Sequence, residues 1–117
     1  MKDFKKLEMW QHGMNLIDSV YDLYDGLNWQ GASEYKGRSQ RAAISIPSNI
    51  AEGNSRRSEK GKYRFMEIAL GSAFELETQV LSAMRRKWCP MAQPERIITD
   101  IDRQQKMMMG FMEKLKV

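Results

Sequence analysis

Apolar residues along this chain recur at steps of three and four in four stretches, separated by glycine, proline and small polar residues. That is the period of helices laying one face on a core. The two-residue alternation of strands is scarce, so the expected class is all-α. The first stretch, Phe4 to Tyr24, carries two adjacent stripes. Leu7, Trp10, Met14, Ile17, Tyr21 and Tyr24 form one; Met9, Gly13, Leu16, Val20, Leu23 and Leu27 form the other. Together they exceed the ~100° apolar sector of a surface helix, so either both lie in one core or one meets another subunit. Gly13 would let a neighbouring backbone or bulky side chain approach closely.

Residues 25–33, DGLNWQGAS, break the pattern and predict a loop, with Trp29 as a lid over the bundle end or an exposed stacking group and Ser33 as the cap of a second helix. The run from Gln40 to Ser58 is richer. Ala42, Ala43, Ile46 and Ile50 make a small-residue helical seam, and Pro47 interrupts it, which predicts a kink. Ser45, Ser48, Asn49 and Glu52 surround the proline and suit freed backbone groups or a subunit contact. Gly53 is placed to end the helix in a left-handed conformation. Ser58 reads as the N-cap of a third helix reaching about Lys87.

The third helix has apolar residues at Met66, Ala69, Leu70, Ala73, Phe74, Leu76, Val80, Leu81 and Met84. Gly71, Ser72 and Ala73 form a notch matched in size to the Ala42 and Ala43 face. Glu77, with Glu75 nearby, lies among apolar neighbours and needs a cation; Arg41 beside the alanine seam is the expected ion-pair partner. Arg85, Arg86 and Lys87 either complement the helix dipole or contact nucleic acid, and Trp88, Cys89 and Pro90 follow. Pro94 suits the first turn of a fourth helix with the stripe Ile97, Ile101, Gln104, Met108, Phe111 and Leu115. Gln104 is its one polar member, suited to setting register or meeting a symmetry mate. Met107, Met108, Met109 and Met112 suit adaptable packing.

A length of 117 residues fits one domain over residues 1–117. The net charge of +4 is unevenly spread. Residues 1–35 sum to −3 and residues 36–64 to +6, the latter including Arg38, Arg56, Arg57, Lys60, Lys62 and Arg64. These six form a candidate polyanion-binding patch. The lone Cys89 and the absence of a leader-like or membrane-length apolar run predict a cytoplasmic protein without a membrane anchor. Catalytic chemistry finds no footing: His12 is the only histidine, Ser45 and Ser48 lack a base, and no metal-ligand spacing or phosphate loop occurs. No catalytic residue, metal or cofactor is therefore expected.

The string RAAISIPSNIAEG, followed by Arg56, Ser58 and FMEIALGSAFELE, resembles the small four-helix-bundle proteins encoded in intervening sequences of bacterial 23S ribosomal RNA genes. The likeness runs from Phe4, Leu7 and Trp10 through Glu77. It departs from the family pattern at Tyr35 and Arg38. The resemblance implies an antiparallel up-down-up-down bundle, a homopentamer and no established catalysis. A related accessory protein of diversity-generating retroelements, which works with a reverse transcriptase and nucleic acid, is similar as well. The expected function is thus non-enzymatic: an oligomer binding RNA or DNA through the basic turn between helices two and three. The alternative is a scaffold whose basic patch meets an acidic protein partner.

Overall fold

A computed structural model describes residues 3–27, 32–86 and 92–117. A short 3-10 turn, Phe4–Lys6, precedes four helices: α1 (Glu8–Asp25), α2 (Ala32–Asn54), α3 (Glu59–Arg85) and α4 (Ala92–Glu113). No strand occurs among the described residues. The first apolar stretch is therefore divided. Asp3 caps the 3-10 turn by accepting the Lys5 N–H at 3.0 Å, and Leu7 is extended before α1 begins. An edge-to-face contact between Phe4 and Trp10, with centroids 5.4 Å apart, holds the turn against α1.

Each helix packs on its sequence neighbours and α4 closes onto α1, while the backbones of the diagonal pairs stay more than 8 Å apart between Cα atoms. Side-chain pairs fix the directions. Tyr35 bonds Ser82 and Ser45 bonds Ser72 across α2 and α3; Ser39 reaches Tyr24 and Gly13 faces Pro47 across α1 and α2. Gln105 meets Glu77 from α4 to α3, and His12 meets Gln104 from α1 to α4. Rising numbers on one helix pair with falling numbers on the next at the first two seams, so α1, α2 and α3 alternate in direction. The result is an elongated bundle, 45 × 20 × 19 Å. Its length suits a 27-residue α3 at ~1.5 Å per residue.

The core separates the two stripes of the first helix. Met9, Gly13, Leu16, Val20 and Leu23 are buried, as is Tyr24. Met14 and Tyr21 remain 40% and 36% exposed, while Trp10 and Ile17 are half-buried. On α3, Phe74 and Leu81 also stay outside, at 48% and 42%. Gln104 is fully buried: its Nε2 donates to the Met9 carbonyl at 2.8 Å, and its Oε1 accepts from His12 Nδ1 at 2.7 Å. Its polar end is satisfied across the α1–α4 seam within one chain, not by a symmetry mate.

α2 runs unbroken from Ala32 to Asn54 with Pro47 inside it, so Ser33 lies within the first turn and does not precede it. The proline ring is buried against Gly13, where a Cβ would sit 3.4 Å from Pro47 Cβ and Cδ. Gly53 does not end the helix; it is helical itself. Its missing side chain admits α3, since a Cβ there would lie 3.0 Å from Phe65 Cβ and 3.4 Å from the Lys62 carbonyl. In the notch, Ala69 and Ala73 are buried and Ser72 donates to Ser45 Oγ at 2.8 Å, but Gly71 is exposed and faces open space.

The expected ion pair of Arg41 with Glu77 or Glu75 does not form. Arg41 lies on the outer side of α2, exposed, with its guanidinium folded back over Gly37. Glu77 instead accepts from Gln105 Nε2 at 2.8 Å, and Glu75 is exposed. Glu77 sits at the half-buried margin of α3, where a neutral amide suffices. Trp29, Lys87, Trp88, Cys89 and Pro90 lie outside the described residues, so the expectations attached to them do too.

Candidate nucleic-acid interface

The α2–α3 turn is built by complementary ends. Asn54 closes α2, the Ser55 hydroxyl donates to the Glu52 carbonyl at 2.6 Å, and Ser58 accepts the Gly61 N–H at 3.0 Å as the N-cap of α3. The cap identified in the sequence is thus realised. Because Gly53 brings α3 against the end of α2, the turn is short and its cations are crowded together.

Five of the six basic residues named from the sequence meet here: Arg56, Arg57, Lys60, Lys62 and Arg64. Residues 56–64 hold those five cations against the single carboxylate Glu59, a net +4 that equals the charge of the whole chain. The rest of the protein sums to zero, with −3 in residues 1–35 offset by positive charge elsewhere. Arg38 is not part of the group. It stands on the first turns of α2, roughly 24 Å of helix away, and pairs with Glu34 at 2.9 Å.

Two of the five cations are held in place. Arg56 pairs with Glu52 at 3.0 Å and lies over the Phe65 ring, 4.5 Å from its centroid, which fixes the guanidinium plane. Lys62 donates to the Asn54 carbonyl at 3.1 Å and so caps the C-terminus of α2 with positive charge. Arg57, Lys60 and Arg64 are exposed and make no ion pair among the described residues.

Two open cavities flank the first turn of α3. One, of about 580 Å³, is lined by Arg56, Arg57 and Lys62 together with Leu7, Phe111 and Leu115. The other, of about 610 Å³, is lined by Lys60, Arg64, Tyr63 and Val117 among others. Leu7, Phe111 and Leu115 read in the sequence as stripe positions, but their meeting at this turn carries no sequence signal, because they lie some fifty positions away on either side.

The polar group around Pro47 is a packing device. Asn49 donates to the Ser45 carbonyl and hydroxyl at 2.8 and 2.9 Å, Ser48 is exposed, and Glu52 turns to Arg56. These side chains point along the helix in opposite directions and do not converge on a common point. Among the described residues no group of three or more acidic, histidine or cysteine side chains is placed to hold a metal. No helix among them is long and apolar enough to cross a membrane.

Comparison with known proteins bears on the scaffold. A protein of unknown function from the S23 ribosomal protein family of Bacteroides thetaiotaomicron has the same fold, with a TM-score of 0.81 at 20% identity, covering 91% of this chain and 99% of that one. No curated protein matches the chain. The family of 23S rRNA-intervening sequence proteins matches residues 5–110, and neither this family nor the structural relative is described as an enzyme. By that match over most of its length, the chain belongs to the 23S rRNA-intervening sequence protein family.

Proposed function

We propose that the protein is a non-enzymatic, self-associating helical bundle that binds nucleic acid, RNA foremost, through the basic end formed by the α2–α3 turn. The observation that carries this reading is the density of positive charge in residues 56–64, five cations to one carboxylate, with Arg57, Lys60 and Arg64 exposed. Such a patch attracts a polyanion by counterion release, with affinity that falls steeply with salt and little dependence on sequence. Retardation of structured RNA at low salt, lost on moderate salt addition, is the expected result. Absence of any retardation at low salt contradicts it.

Self-association is favoured by the apolar side chains left outside. Met14, Tyr21 and Ile44 stand on the α1 and α2 surface, and Phe74 and Leu81 on α3, which is diagonal to α1. Two different faces suit a head-to-tail contact, which closes into a ring. A homopentamer is the ring the family resemblance implies, and light scattering checks it; a monomer at micromolar concentration contradicts it. A scaffold that recruits an acidic protein partner is the second reading. It is favoured if pull-down of that partner survives nuclease treatment.

A further inference from the structure

The cavity that Arg57 and Lys62 share with Phe111 differs from a simple phosphate-tracking surface. Its lining is cationic on the side of the turn and apolar where separate elements contribute: Leu7 before α1, Phe111 near the end of α4 and Leu115 just beyond it, all half-buried. A surface that only follows phosphates has no use for such an apolar lining. A paired duplex presents phosphates and groove edges, and its base faces are covered by stacking. An unpaired base offers a bare face, and aromatic and apolar side chains are what receive it.

We propose that this cavity takes one unpaired nucleotide of a bound RNA strand, with the base against Phe111 and Leu115 and the adjoining phosphate on Arg57 and Lys62. This rests on the nucleic-acid reading above and adds to it a preference for unpaired over paired substrates. The volume of about 580 Å³ lies within the range of small-ligand pockets. Lys62 is anchored on the Asn54 carbonyl and retains further N–H donors for a phosphate oxygen. Arg56, fixed by Glu52 and Phe65, adds a stationary charge beside it. Glu59 is the one lining carboxylate, and it is drawn to the Lys116 N–H at 2.9 Å. Free mononucleotides share the same chemistry, but Lys60 and Arg64 continue the positive charge around α3 to the second cavity and provide for neighbouring phosphates of a strand.

The test compares three labelled RNAs by fluorescence anisotropy: a perfect duplex, the same duplex with one bulged nucleotide, and the unpaired strand. The bulged and unpaired forms are expected to bind about 10-fold tighter than the duplex, the scale of one base stacked on an aromatic side chain. Leu115→Ser, which lies beyond the end of α4 and spares the core, should remove most of that preference and leave duplex binding and its salt dependence unchanged. Phe111→Ala should do the same. Equal binding of all three RNAs, or a Leu115→Ser effect that is proportional on all three, overturns the pocket but leaves the basic end as a nucleic-acid surface. No binding of any RNA at low salt overturns both. Micromolar binding of uridine monophosphate alone, without strand binding, assigns the cavity to a free nucleotide and overturns the strand assignment.

Discussion

At the end of the bundle where α1 stops and α2 starts, two basic side chains are matched by acids, Lys36 by Asp25 and Arg38 by Glu34, while Arg85 and Arg86 close α3 at the same end. At the opposite end, five cations share the turn and first helical residues with one carboxylate. Both ends are rich in Lys and Arg, so a count of basic residues does not distinguish them. What distinguishes them is where the acids fall. Glu34 lies four residues before Arg38 on one helix face, a spacing that brings opposite charges together. The basic turn has that device once, in Glu52 and Arg56, and there the pair serves to orient the guanidinium over Phe65.

Charge reversal is the sharpest way to break the contrast. Arg57→Glu with Lys60→Glu should lower RNA affinity about 100-fold at moderate salt, because two phosphate contacts are lost and two repulsions gained. Lys36→Glu with Arg38→Glu should change it only a few-fold. Equal losses from the two pairs, measured by the same anisotropy titration, would erase the distinction between the ends.

The next effect concerns what holds the ends in place. Gln104→Leu removes the buried amide that joins His12 to the Met9 carbonyl and leaves the inner side of the imidazole unpaired, at a cost of about 1–3 kcal/mol. Chemical denaturation reads this directly, and an unchanged midpoint would show that the seam does not depend on it. A smaller effect is expected at the glycines. Gly53→Ala should lower stability by about 1 kcal/mol, since the new methyl meets Phe65 Cβ and a backbone carbonyl that cannot easily give way. Gly13→Ala meets Pro47 only at ordinary contact distance, so the gain in helix propensity should make it neutral or slightly stabilising. The same sign at both positions would contradict the packing described at the turn. Smallest of all, Arg41→Ala should shift stability by less than about 0.5 kcal/mol, as for a surface residue without a partner.

These effects also mark what the sequence conveyed. Helical periodicity and the turn residues located all four helices, and Ser58 announced its own cap, because such signals act within a few residues of chain. Gly53 was legible as special but for a different reason: its neighbour is Phe65 across the turn, not its own backbone. Arg41 looked like a buried partner because it adjoins the alanine seam, yet one position along a helix is a rotation of about 100°. That rotation carries it to the outside. Five of the six basic candidates converge because they are contiguous in sequence around a tight turn, whereas Arg38 is separated from them by most of α2. The apolar lining beside them was illegible as part of a site, since Leu7, Phe111 and Leu115 are brought in by α1 and α4 closing on each other.

The claim that one end of this bundle is an uncompensated polyanion site is tested most directly by the salt dependence of RNA binding. For the wild-type protein and an unpaired strand, the plot of log affinity against log salt should have a slope of roughly −2 to −3.5, corresponding to three to five phosphates neutralised. Replacing Arg57, Lys60 and Arg64 with Gln should bring the slope toward −1. A slope near zero for the wild type, or one that the substitutions leave unchanged, would contradict the claim.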